Sequence, residues 1–204
     1  MPERGRVIAG TARGVHLEWP RSTATRPLTD RVKESLFATL EANGALAGAF
    51  LDLFAGSGAG GIEALSRGAP RATFVERDVR AADVIGANLR RANMRTAATE
   101  GGQIVRAAVA TYLHGPRPAG GPFSAVLLDP PYDEPLVEPT LEILGALGIE
   151  WLAPDAIVVA KHFWRDDPSE LIGKLRRDRQ KRFGETVLSF YTRAEERIAG
   201  EEEK

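Results

Sequence analysis

Asp129-Pro130-Pro131-Tyr132 is the stretch with the clearest chemical use. Two consecutive prolines cannot continue a buried strand, and they hold the chain in an extended turn. The Asp129 carboxylate and the Pro130 carbonyl are then two hydrogen-bond acceptors at a fixed spacing. An exocyclic amine on a nucleobase is a poor nucleophile, because its lone pair is delocalised into the ring. Two acceptors that grip its hydrogens aim that lone pair at an electrophile, and the Tyr132 ring offers a face on which the base stacks. Orientation fixed before reaction lowers the barrier. Asp129, Pro130 and Tyr132 are therefore the candidate catalytic residues.

A second pattern lies upstream. In Asp52-Leu53-Phe54-Ala55-Gly56-Ser57-Gly58-Ala59-Gly60-Gly61, the glycines 56, 58 and 61 fit G-x-G-x-x-G at a strand-to-helix turn, where missing side chains let the backbone approach a ligand. Glu76 falls 20 residues after Gly56, at the end of the next apolar run, where a carboxylate can accept hydrogen bonds from two ribose hydroxyls. The two features point to a nucleoside-containing cofactor and do not separate a nicotinamide dinucleotide from S-adenosylmethionine. The Asp-Pro-Pro-Tyr turn favours the latter. Ser57 is no hydrolase nucleophile, since Ala55 stands where a G-x-S-x-G elbow needs glycine. His16, His114 and His162 are scattered and there is no cysteine, so no metal site is expected and the histidines read as surface residues. Phe163-Trp164 reads equally as core or rim packing and as a wall for a base.

These residues need a scaffold. Thr29 can cap a helix with Val32, Leu36, Phe37 and Leu40 on one face, ending before Gly44. Apolar runs then alternate with helical spacing: strands at 50–54, 72–75, 103–106, 125–128 and 157–159, and helices at 60–67, 79–92, near Tyr112, at 136–147 and at 169–175. That alternation predicts a parallel sheet covered on both faces. It puts the glycine turn and Asp129 at neighbouring strand ends. Arg182-Phe183-Gly184-Glu185-Thr186 reads as a hairpin turn with Gly184 at its tip, so that one antiparallel strand joins the edge. The Val7-Ile8-Ala9 and Val15-His16-Leu17 pieces suggest a small hairpin arm outside the strand-helix core. The expected division is an arm over 1–27, one α/β domain over 28–194 and an acidic tail over 195–204.

With 43% apolar and 27% charged residues, the 204-residue chain has enough apolar material for one sizeable core, which excludes global disorder. Its longest uncharged stretch, residues 118–128, is too short to span a bilayer. Without cysteine or an apolar leader it reads as cytoplasmic. The net charge of -1 hides a basic excess of +4 over residues 1–33 and a second basic cluster over 174–182. A basic arm on a near-neutral protein suggests a polyanionic partner.

Asp129-Pro130-Pro131-Tyr132 resembles the signature of amino-directed nucleic-acid methyltransferases, and the Asp52 to Gly58 turn resembles their adenosylmethionine motif. Arg6-Val7-Ile8-Ala9-Gly10, the Thr25-Arg26-Pro27 to Leu36-Phe37 stretch and Phe183-Gly184-Glu185-Thr186 are similar to the RsmD family, whose members methylate guanine N2 in small-subunit ribosomal RNA. The resemblance runs from Arg6 to about Arg193. It implies a class I methyltransferase fold with a Rossmann-like sheet, S-adenosylmethionine as donor, S-adenosylhomocysteine as product, and no metal. The implied partner is the 16S RNA of the small ribosomal subunit, with no membrane and a single copy of the chain. Carried over by position, Asp52, Phe54, Ala55, Gly56, Ser57, Gly58, Glu76, Arg77, Ala108 and Asp129 would bind the donor, and Arg26 and Arg31 the RNA. Ala108 stands where relatives often carry an Asp for the adenine amine, which leaves adenine to backbone groups and apolar packing. Lys161 stands where a Glu often ends the fifth strand, and no catalytic role carries over to it. The residues alone also admit a DNA adenine-N6 methyltransferase, against which the lack of a separate target-recognition domain counts. They admit a small nicotinamide (NAD(P)) oxidoreductase, which leaves the Asp-Pro-Pro-Tyr turn unexplained, and a non-catalytic RNA-binding module.

Overall fold

Thr29 opens the first helix of the computed structural model, its Oγ1 accepting the Val32 amide at 3.4 Å while the Asn43 position closes it before Gly44. The structure describes residues 5–20, 28–96, 100–116, 120–132, 134–148 and 151–194. Arg26 and the expected tail lie outside them. The elements are α1 (Asp30–Ala42), β1 (Ala49–Leu53), α2 (Ala59–Ser66), β2 (Arg71–Glu76), α3 (Val79–Arg91), β3 (Gly101–Arg106) and α4 (Val109–Leu113). There follow β4 (Phe123–Leu128), α5 (Val137–Ala146), β5 (Leu152–Phe163), β6 (Leu171–Ile172), β7 (Leu175–Phe183) and β8 (Thr186–Arg193).

The strands form one sheet in the order β3-β2-β1-β4-β5-β8-β7-β6. The first five run parallel, as the alternation of apolar runs with helices predicts, and β8 pairs antiparallel with β5. Phe37, Phe50, Ile62, Phe74 and Ile85 pack on one face with α1, α2 and α3, while Leu51, Val75, Val126, Leu141 and Trp151 pack on the other with α4 and α5. The order reverses at β1, between β2 and β4, so the crevice of a doubly wound sheet opens beyond the ends of these strands. Among the described residues no helix is long and apolar enough to cross a membrane.

Four expectations need correction. The segment expected to be helical at 169–175 is a hairpin instead, with Ile172 opposite Leu175 and Gly173 in the left-handed region at φ 57°. A two-residue Gly-Lys turn puts both apolar side chains on one side, which imitates the three-residue spacing of a helix. Strand β5 is 12 residues long, far beyond 157–159, because Pro154, Asp155, Lys161 and His162 mask its run. His162 is buried at 2% exposure, its ring nitrogens meeting Ser189 Oγ at 2.8 Å and the Phe163 carbonyl at 2.9 Å. The surface reading suits His16 and His114, which are exposed.

The fourth correction concerns the N-terminal hairpin, which does not stand outside the core. Val7 and Leu17 are 1% exposed and belong to the same cluster as Val32 and Leu36. Glu63 of α2, with no exposed surface, accepts the amides of Ile8 and Ala9 at 2.8 and 3.0 Å and the Arg67 Nε at 2.8 Å, and it lies 4.0 Å from Lys33 Nζ. Arg67 in turn reaches Glu34 and Glu41 of α1. Gly10 makes the approach possible, since a Cβ there would stand 1.8 Å from the Ser66 carbonyl oxygen.

Glu63→Gln removes the charge that compensates two buried cations, and the expected loss of unfolding free energy is about 3–5 kcal/mol, read from the urea midpoint. A second expectation follows from His162. Burial pulls its pKa below the ordinary 6.5, against the opposing pulls of the Phe163 carbonyl and Asp167. Below pH 6.5 the unfolded chain takes up a proton that the folded chain does not, so stability falls as the pH drops from there through the lower folded-state pKa. The urea midpoint should decline as the pH falls below about 6.5, and His162→Gln should flatten that decline.

Candidate functional site

Strand β1 ends in a backbone reversal that only particular residues tolerate. Phe54 (φ 63°), Gly56 (φ 54°) and Gly58 (φ 79°) are all left-handed, and α2 starts directly after them. For a phenylalanine this costs roughly 1–2 kcal/mol, and the Ala55 amide donating to the Val75 carbonyl at 3.0 Å holds the bend in place. Gly61 is bare for a different reason: a Cβ there would lie 2.3 Å from the Phe74 ring, so its absence lets α2 press against the sheet. Asp52 supports the same junction from below, accepting the Gly61 amide at 2.7 Å while only 2% exposed. Burial pushes its pKa well above the ordinary 3.8, Asp129 and Glu76 push the same way, and the Gly61 amide opposes them.

The turn frames a cleft of about 370 Å³ lined by Phe54, Gly56, Glu76, Arg77, Ala108 and Asp129 from the expected donor set. Asp52, Ala55, Ser57 and Gly58 are not in its wall; they are buried behind it, where Asp52 braces the helix and the Ser57 carbonyl accepts Asn88 Nδ2 at 2.9 Å. The rest of the lining is largely apolar, with Val75, Val109, Pro139 and Ile143 in it. Glu76 spends one lone pair of each carboxylate oxygen on a backbone amide, Gly56 and Asp78 both at 2.8 Å, and keeps the remaining acceptor positions for a ligand. An apolar slot ending at a braced carboxylate fits a nucleoside. Arg77, just past β2, pairs with Glu134, beyond the end of β4, and both line the cleft.

A second cavity, of about 390 Å³, adjoins the first and shares Pro131 and Glu134 with it. Pro130 and Tyr132 line this one, and Asp129 lines the first, so the Asp129-Pro130-Pro131-Tyr132 turn is the partition between the two. Tyr132 is 39% exposed, and its hydroxyl lies 3.0 Å from Thr186 Oγ1 at the start of β8.

Lys161 is the residue that the sequence alone did not place. Only 4% exposed, it donates from Nζ to Asp129 Oδ1 at 2.5 Å and stands 4.6 Å from the Tyr132 ring centroid. Burial would lower its pKa, but Asp129 and Tyr132 outweigh burial and raise it above the ordinary 10.5, so the group is an ammonium. The one sequence signal was a charged residue directly after the apolar run Ala156 to Ala160. Thr186 and Glu134 were also absent from the expected set. Of the two arginines expected to bind RNA, Arg31 sits at the start of α1 with its guanidinium 5.8 Å from the Phe183 ring centroid, in neither cavity wall.

A family model described as conserved hypothetical protein 95 matches residues 5–192. The ribosomal RNA small subunit methyltransferase D of Escherichia coli (strain K12) is 34% identical over 188 residues, 92% of this chain and 89% of that protein. The protein of the same name from Haemophilus influenzae is 36% identical over 153 residues, 75% of this chain and 76% of its own. The solved structure of Escherichia coli yhhF superposes with a TM-score of 0.78 at 32% identity, covering 93% of this chain and 97% of its own. A solved structure complexed with SAH shares the fold at 16% identity, with a TM-score of 0.62 over 81% of this chain and 50% of its own. With a match that runs from the N-terminal hairpin to the last strand, the chain belongs to the conserved hypothetical protein 95 family, the RsmD family that includes the ribosomal RNA small subunit methyltransferases D.

Proposed function

We propose that this protein methylates the exocyclic N2 amine of a guanine in small-subunit ribosomal RNA, with S-adenosylmethionine as donor. The observation that carries the reading is the partition: a nucleoside-sized cleft with a ribose-directed carboxylate meets a second cavity at a turn bearing two fixed acceptors. The names of the family's relatives support ribosomal RNA as the substrate. The relative in fold complexed with SAH supports the choice of donor over a nicotinamide.

Glu76 would hold the donor's ribose, and Phe54, Val75 and Val109 would flank its apolar parts. When bound, the donor supplies an electrophilic methyl group carried on a sulfonium. The chain itself contributes position and charge. Lys161 occupies Asp129 Oδ1, which fixes the carboxylate plane and leaves Oδ2 for one amine hydrogen, while the Pro130 carbonyl takes the other. The Lys161 ammonium on the Tyr132 ring and the Thr186 hydroxyl on its phenol hold that ring still for the base. As the amine nitrogen takes the methyl carbon, the carbon–sulfur bond breaks and the neutral thioether S-adenosylhomocysteine leaves; the nitrogen becomes cationic and must shed a proton. The Asp129 carboxylate would accept it, and its negative charge would stabilise the developing positive one.

Labelled S-adenosylmethionine incubated with the protein and small ribosomal subunits, naked ribosomal RNA or DNA tests the reading: label in guanine N2 of the RNA is expected, and label confined to DNA adenine would overturn it. Calorimetry should show binding of S-adenosylmethionine and none of NAD, with Glu76→Ala weakening the former by about 1.5–3 kcal/mol. Asp129→Ala should lower methyl transfer at least about a hundredfold with donor affinity within a few-fold. Lys161→Met removes a buried charge without shortening the side chain, so the fold should hold. Turnover should fall about 10- to 100-fold, the value of one charge-assisted hydrogen bond, and full activity in that variant would sink the positioning role of Lys161.

A further inference from the structure

We infer that the Trp164 ring, with Arg165 and Arg182, is a docking platform for the RNA nucleotide adjoining the target base. The inference rests on the RNA substrate proposed above. Trp164 follows β5 directly, and its amide donates to the Glu185 carbonyl at 2.9 Å, which ties it to the β7–β8 turn. The next residue of that turn, Thr186, is the one that meets the Tyr132 hydroxyl. Phe163, whose ring centroid is 6.1 Å from that of Trp164, pairs across the sheet with Thr186, so Trp164 stands one residue beyond the strand pair that meets the tyrosine on which the target base would stack. Trp164 and Tyr132 are two of only four large apolar side chains exposed among the described residues; Tyr132 lines the second cavity, as do Phe163 and Arg165, the residues on either side of Trp164.

The arginines give the patch its sign. The Arg165 and Arg182 guanidinium carbons lie 4.9 and 4.7 Å from the Trp164 ring centroid. Neither has a carboxylate within ion-pair distance among the described residues, whereas Arg6, Arg67, Arg77, Arg91, Arg95, Arg106, Arg176 and Arg177 all do. A guanidinium on an aromatic face is held without being neutralised, so its charge stays available to a phosphate. A base that stacks on the ring displaces one guanidinium, which is then within reach of that nucleotide's backbone. Asp166 and Glu185 stand nearby and keep the net local charge small. Recognition accordingly falls to the ring and two directed cations rather than to a broad positive field. That combination suits single-stranded nucleic acid, whose every base has a stacking face. An acidic protein segment would use the arginines and leave the ring uncovered.

The test measures affinity of the full-length protein for a small-subunit ribosomal RNA transcript and for assembled subunits, at several salt concentrations. Trp164→Ala should weaken RNA binding about tenfold, with most of the affinity retained in Trp164→Phe. The pair Arg165→Gln and Arg182→Gln should reduce the slope of log affinity against log salt by about 1.4, for two phosphates on a single strand. Unchanged S-adenosylmethionine binding in each variant shows that the fold is kept. Wild-type affinity and slope in all variants would overturn the platform while leaving the proposed function intact. Defects seen only on subunits and never on naked RNA would assign the surface to a protein contact and also overturn it. A wild-type protein that binds neither probe would remove the RNA reading itself, and the platform with it.

Discussion

Three carboxylates stand at the ends of adjacent strands, Glu76 on β2, Asp52 on β1 and Asp129 just past β4, and like charges so placed disfavour one another. The site is organised around three separate answers to that repulsion. Asp52 is sealed under the glycine turn, where burial favours its neutral form and the Gly61 amide satisfies it. Glu76 is braced by two backbone amides. Asp129 has a cation of its own in Lys161. Only the last two carboxylates reach a cavity, both in the wall of the first, Asp129 where the partition begins, and their different supports suit one to binding and the other to reaction.

The scaffold behind these groups is held by a buried ionic centre on α2. Glu63 draws the N-terminal hairpin, α1 and α2 together, and Asn88 of α3 links the hairpin at Glu18 to the Ser57 carbonyl in the glycine turn. The turn is thus clamped from the sheet side by Asp52 and from the outside by residues that have no part in the chemistry. A left-handed phenylalanine persists at Phe54 because its surroundings over-determine it.

Much of this was legible in the sequence, and what was not shares a physical cause. The glycine spacing, Glu76 and the proline-locked turn are local signals, each set by backbone demands within a few residues. The parallel strands announced themselves through apolar runs between helices. Lys161, His162 and the docking of the hairpin depend instead on partners 27 to 70 residues away, such as Ser189 for His162, Glu63 for Ile8 and Asn88 for Glu18. Nothing in their immediate neighbourhood encodes those partners. A lysine in a strand reads as a departure until the carboxylate it neutralises is seen beside it. The 169–175 segment failed for the opposite reason: a tight turn reproduced the spacing of a helix, and only pairing across the sheet distinguishes them.

The position of β8 has a consequence for synthesis on the ribosome. Chains emerge N-terminus first, so the five parallel strands are complete while β8, residues 186–193, is still to come. During that interval β5 is an open edge, with a run of unpaired backbone groups from Val158 to Phe163 that invites a strand from another nascent chain. Pro154 blunts only its beginning. Lys161 and His162 interrupt the remainder with a charged and a polar side chain; Lys161 already has Asp129 behind it, whereas His162 still awaits Ser189 on the strand to come.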